Sequence, residues 1–111
     1  MKLRAYFCKI IKVIDGDTVV CEIDLGFNIF KTDHIRLNGV DAPEMHEGGP
    51  AVDAKKYLEQ YLNQPIIIFT SKSDKFGRYL GTFYESMTEA TSINQDMIDK
   101  GLAREYHGGK R

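Results

Sequence analysis

Asp41 and Glu44 stand on either side of Ala42-Pro43, in a stretch with neither helical nor strand periodicity. Acids so placed are either solvated turn residues or parts of a reactive site, and their neighbours decide which. Three other short segments carry the same ambiguity. "DGDT" (15–18) reads alone as a hairpin turn, "DKFGR" (74–78) as a tight turn with a solvated arginine, and "SINQDMIDKGLA" (92–103) as an amphipathic helix. Arg36 lies just before the two acids, within "IRLNGVDAPE" (35–44). Carboxylates can hold a hard cation or accept a proton, and a planar guanidinium gives an anion two parallel bonds, which lysine cannot.

The elements that must position these residues follow from periodicity. Leu3, Ala5 and Phe7 alternate, and then Ile10, Ile11 and Val13 continue with a break in phase, which predicts a long first strand carrying a bulge or bend. Val19, Cys21, Ile23 and Leu25 give a second strand, and Asp15-Gly16 predicts the hairpin turn, with glycine accepting positive φ. That turn sets Cys8 opposite Ile23 and Cys21 opposite Ile10, leaving the thiols diagonal at about 7–8 Å, too far for a disulfide. Two reduced, buried cysteines are expected. A third strand is expected from about Phe27 to Leu37, and Asn38 to Pro50 reads as loop. Pro50 suits a first helical turn, and Ala51, Ala54, Leu58, Tyr61 and Leu62 predict a helix of about 13 residues, ended by Pro65. Strands are expected at Ile66–Thr70 and Tyr79–Tyr84. Ser92-Ile93-Asn94-Gln95 has the form of a capping box opening a second helix that stops near Gly101, with Met97 and Ile98 in the core. The tail from Glu105 to Arg111 is expected to be loosely ordered. Five strands, the first long and bent, suffice to close a small barrel.

The 111 residues suit one domain, 1–111, and 42% apolar with 28% charged residues is an ordinary globular composition. Fifteen Lys and Arg against 16 Asp and Glu leave a net charge of -1, which excludes broad, charge-driven wrapping of a polyanion. Any such contact must be local or helped by a cation. Apolar runs reach about four residues, as at Ile66 to Phe69, far short of the roughly 20 that span a bilayer. Lys9 and Lys12 interrupt the first segment, so it is not read as a signal peptide; either the protein stays in the cytosol, the favoured expectation, or an export signal has been removed.

Taken together, the four segments resemble the staphylococcal nuclease (thermonuclease) family, in the family's order and over nearly the whole chain. Arginine before "VDAPE", with "DKFGR" following a helix and a strand, carries the resemblance. It implies an α+β, mainly β fold: a five-stranded OB-fold barrel with two flanking helices, the family's third C-terminal helix being absent. It also implies calcium-dependent hydrolysis of phosphodiester bonds in DNA or RNA by a metal-associated water. The substrate is expected to be single-stranded or locally melted, and the protein a monomer.

Residue by residue, the resemblance makes Asp17 and Asp41 the carboxylate ligands of Ca2+, with the backbone carbonyl of Ala42 a third oxygen. Glu44 matches the family's general base, and Arg36 and Arg78 match the arginines that grip phosphate. Lys75 and Phe76 align with positions that contact the nucleotide's phosphate and base, and Tyr106 and His107 lie near positions of nucleotide-stacking tyrosines. The chemistry suits these types: attack on an anion needs a cation, a base for the water and donors for the developing charge. Three carboxylates and two arginines sum to -1, which a divalent cation turns to +1 and so makes receptive to a phosphodiester. So few protein ligands imply weak calcium binding, and magnesium is expected to bind without supporting turnover.

The chain departs from the family at Ala42, commonly Thr, at Phe76, usually Tyr, and in a short loop from Met45 to Gly49 without lysines. Against the nuclease stands a reading of another class: a non-catalytic OB-fold module derived from the same fold that binds nucleic acid or protein. Degenerate copies of that kind typically lose the arginines or carboxylates, and Asp17, Arg36, Asp41, Glu44 and Arg78 are all present.

Overall fold

The first strand, β1 (Arg4–Asp15), pairs along its first part with β5 (Ile66–Ser71) and along its second with β2 (Thr18–Asp24), both antiparallel. A strand serving two neighbours must bend, and register shifts fall between Ile10 and Lys12 and between Val13 and Asp15. This computed structural model describes residues 4–44, 48–71 and 77–106. β2 continues into β3 (Phe30–Leu37), which meets β6 (Tyr79–Tyr84) in parallel through Ile35–Leu37, and β6 returns antiparallel to β5. The order β1-β2-β3-β6-β5 closes on itself as the expected five-stranded barrel.

Two helices flank it: α1 (Gly49–Glu59) and α2 (Ile93–Asp99). The barrel is filled by Ile10, Val19, Cys21, Ile35, Leu37, Ile68 and Phe83, with Leu58 of α1 and Met97 of α2 closing it. Burying one such side chain contributes roughly 1.5–3 kcal/mol. Among the described residues no helix is long and apolar enough to cross a membrane.

The cysteine register is as expected, Cys8 opposite Ile23 and Ile10 opposite Cys21, and both thiols are free and buried. It arises by a route other than a turn at Asp15-Gly16. The turn sits one residue later, at Gly16-Asp17, which would slide the pairing by two, and the two register shifts restore it. Gly16 has no positive φ. Its hydrogen is needed for space: a Cβ there would lie 2.6 Å from Ala42 Cβ and 2.7 Å from Ala54 Cβ. The Cys21 thiol is pushed up by its hydrogen bond to Cys8 and by burial, so it stays protonated.

Other boundaries moved for local reasons. β3 starts at Phe30 rather than Phe27, because Gly26 to Ile29 turns the chain. α1 has 11 residues and stops at Glu59, well before Pro65; Tyr61 and Leu62 lie beyond it, Leu62 bridging to Ile10. Ser92 caps α2 by accepting from Gln95 N–H at 2.9 Å, but the Gln95 side chain donates to Asp99, so only half of the capping box forms. The expected loop after Asn38 contains β4 (Val40–Asp41), which pairs with β7 (Arg104–Glu105). Glu105 and Tyr106, read as loose tail, are thereby fastened, Tyr106 N–H donating to Gly39 O at 2.9 Å. Residues 107–111 lie outside the described ones.

Candidate functional site

At the mouth of the β1–β2 hairpin, the turn delivers Asp17 against the end of β3. Thr18 pairs with Arg36, and Leu37 N–H donates to Asp17 O at 2.8 Å, which locks the turn to the strand carrying Arg36. Arg36 Nη1 then lies 2.7 Å from Asp17 Oδ1, an ion pair with both residues buried, and Nη2 donates to Val40 O at 3.0 Å. From the other side, Ala42 N–H donates to Asp17 Oδ2 at 3.1 Å. One carboxylate thus joins the turn, β3 and the segment after β4. Asp41, half-buried, and Ala42 are brought to Asp17 by that last bond, and Glu44 stands at the exposed lip two residues on.

Burial alone would raise the Asp17 carboxyl. Its hydrogen bond with Asp15, its pairing with Arg36 and the Ala42 N–H together hold it below the usual carboxylate range. Asp15 moves the other way, raised by burial and by its neighbour Asp17, whose backbone N–H it accepts at 3.0 Å. Two adjacent carboxylates are thereby driven apart in proton affinity, and Asp17 keeps the negative charge.

Two site neighbours, Thr18 and Asn94, are not among the residues expected from the sequence, and a third, Tyr106, has a partner that was not expected. Thr18 Oγ1 lies between Asp17 Oδ1 at 3.2 Å and Arg78 Nη1 at 3.5 Å, joining the second arginine to the cluster. Its signal was present as the last letter of "DGDT". Tyr106, expected to stack on a nucleotide, places its ring 5.4 Å from the Arg36 guanidinium. Asn94, buried on α2, accepts from Phe83 N–H at 3.0 Å and donates to Asn38 O at 2.9 Å and Gly81 O at 3.0 Å, pinning the turn that leads into β4. Lys75, Phe76 and His107 lie outside the described residues.

The donor set suits a hard cation. Asp17 is held as a carboxylate, each of its oxygens has more than one lone pair, and the Asp41-Ala42 backbone lies against it. Among the described residues no three His, Cys, Asp or Glu side chains converge as a metal-binding group. A cation here would draw on two carboxylates and a main-chain oxygen, the small set the resemblance implies.

Comparison with known proteins places the chain among relatives. An uncharacterized protein of Methanocaldococcus jannaschii is 34% identical, over 91% of this chain and 59% of its own length. The probable endonuclease lcl3 of Talaromyces marneffei is 34% identical over 68% of this chain and 26% of its own. The probable endonuclease LCL3 of Uncinocarpus reesii is 42% identical over 68% of this chain and 28% of its own. The chain therefore spans 59% of the archaeal relative's length and about a quarter of the fungal ones. Residues 34–111 match the family described as staphylococcal nuclease homologue, a span that takes in Arg36, the β4 segment and Arg78, and the chain belongs to that family.

Proposed function

We propose that this chain is a calcium-dependent nuclease that hydrolyses phosphodiester bonds of DNA or RNA, on single-stranded or locally melted substrate. The observation that carries the reading is the Asp17 carboxylate, buried and shared between Arg36 Nη1 and Ala42 N–H. Such a buried charge needs a reason, since an apolar group of similar volume is often at least as stabilising. Asp17, Asp41 and the Ala42 carbonyl would hold Ca2+, which when bound supplies the positive charge that lets an anionic ester approach three acids.

The chain's own residues divide the remaining work. Arg78, on the Thr18 side, and Arg36, beneath Tyr106, offer guanidinium N–H groups to the phosphate oxygens as charge builds during attack. Glu44, exposed at the lip, accepts the proton lost by the attacking water as the new P–O bond forms, and the ester oxygen released when the old P–O bond breaks takes a proton from solvent. By the family resemblance, Lys75 and Phe76 would contact the nucleotide's phosphate and base, with Tyr106 and His107 as further nucleotide contacts.

Incubation with single-stranded DNA and RNA, with calcium and then with chelator, tests the whole reading. Cleavage that requires calcium and stops with chelator is expected. Cleavage indifferent to chelator, or none at any calcium level, would sink the mechanism. Binding without cleavage would favour the non-catalytic module.

A further inference from the structure

The β2–β3 hairpin ends, away from the candidate site, in an exposed apolar tip. Ile29 N–H donates to Gly26 O and Leu25 N–H to Ile29 O, each at 2.9 Å, closing a turn over Gly26-Phe27-Asn28-Ile29. Phe27 and Asn28 both have positive φ, 56° and 59°. Positive φ at both central positions marks a type I′ turn, where Asn, Asp or Gly is usual, and Gly26 just before them is positive too, at 83°. Phenylalanine is a poor choice there, and its side chain is left 98% exposed. Leu25, Ile29 and Phe30 beside it are exposed as well.

Next to this knob lies a groove of about 460 Å³, lined by Ala5, Phe7, Leu25, Ile67 and Met87. We propose that knob and groove form an isologous homodimer interface, Phe27 of each copy entering the groove of the other. The two features adjoin through Leu25 and Gly26, so a two-fold axis between them places each knob over its partner's groove. The area is sufficient. Phe7, Leu25, Phe27, Ile29, Phe30 and Met87, weighted by exposure, present on the order of 700 Å², against about 800 Å² per partner in a standard interface.

Two alternatives fit less well. Strand addition at the outer edge of β3 is blunted, because Asp33 Oδ1 covers His34 N–H at 2.8 Å and Lys31, paired with Asp33 at 3.2 Å, stands on that edge. A lipid layer would have to accommodate Asp24, which lines the groove and accepts from Gly26 N–H at 2.8 Å. The interface also leaves the candidate site open, since the length of β2, seven residues or about 20 Å, separates Thr18 from the tip. It replaces the monomer expected from the sequence, and it stands whether or not the chain is a nuclease.

Sedimentation velocity of the chain across micromolar to near-millimolar concentrations tests it. A reversible monomer–dimer equilibrium is expected, with Phe27→Asp weakening association by about 30-fold for each of the two buried aromatic anchors it removes, about 10³-fold in all. Phe27→Lys and Met87→Glu should each be monomeric alone and form a heterodimer when mixed, because one native and one charge-paired contact are restored. Far-UV circular dichroism checks that these exposed substitutions leave the fold intact. A wild type that stays monomeric, a dimer that persists in both single variants, or a mixture that fails to associate overturns the proposal. So does Phe27-dependent flotation of a monomer with phosphatidylcholine vesicles, which would assign the tip to a membrane.

Discussion

Asp17 and Arg36 depend on one another as a buried ion pair. Both are buried, and removing one partner of such a pair costs about 3–5 kcal/mol because the other charge is left uncompensated. Arg78 is half-buried and reaches the cluster through a longer contact, 3.5 Å to Thr18 Oγ1. The two arginines therefore separate on substitution. Arg36→Ala should lower Tm and activity together. Arg78→Ala and Glu44→Gln should lower turnover about 10²-fold or more with a much smaller change in Tm, since their losses fall on the transition state. Parallel thermal melts and cleavage rates decide this, and near-normal turnover in either of the last two variants removes that residue from the mechanism. The residue types at this site were legible from the motifs. Their partners were not, because the Val40 carbonyl, the Thr18 hydroxyl and the Tyr106 ring reach the arginines only through pairings that no local pattern encodes.

Among the elements, the closest approach sets the site. The "DGDT" turn rests on α1 and on the segment after β4 with no room for a methyl group at Gly16. Ala54 of α1 and Ala42 are small for the same reason, so helix, turn and loop meet at backbone distance. Gly16→Ala must push them apart, at about 1–3 kcal/mol for an overpacked position. Because Ala42 N–H is what holds its segment to Asp17, the displacement should also weaken the site. A lowered Tm accompanied by weaker calcium binding in titration calorimetry is the expected result. A lowered Tm with unchanged calcium affinity would mean the site does not depend on that contact. Strands, helices and the barrel were readable from alternation and helical spacing. Gly16 was assigned the wrong role because a turn glycine and a packing glycine look alike in sequence. β7 escaped because two residues are too few to show a period, and it forms only against β4.

At the scale of the molecule, a net charge of -1 and a cluster of two arginines must between them account for any grip on a polyanion. The composition that limits charge says nothing about where apolar residues go, which is why the exposed tip of the β2–β3 hairpin was invisible before the fold. The charge limit itself is quantitative. Each phosphate neutralised by a side chain on a single strand contributes a slope of about −0.7 to log K against log salt. Arg36, Arg78 and Lys75 together predict a slope of about −2. The measurement is equilibrium binding of a short single-stranded oligonucleotide to the Glu44→Gln variant, at fixed saturating calcium and varied monovalent salt. A slope near that value would match local recognition at the cluster. A slope steeper than about −4 would require a broad basic footprint, and the binding surface would then have to extend well beyond the two arginines.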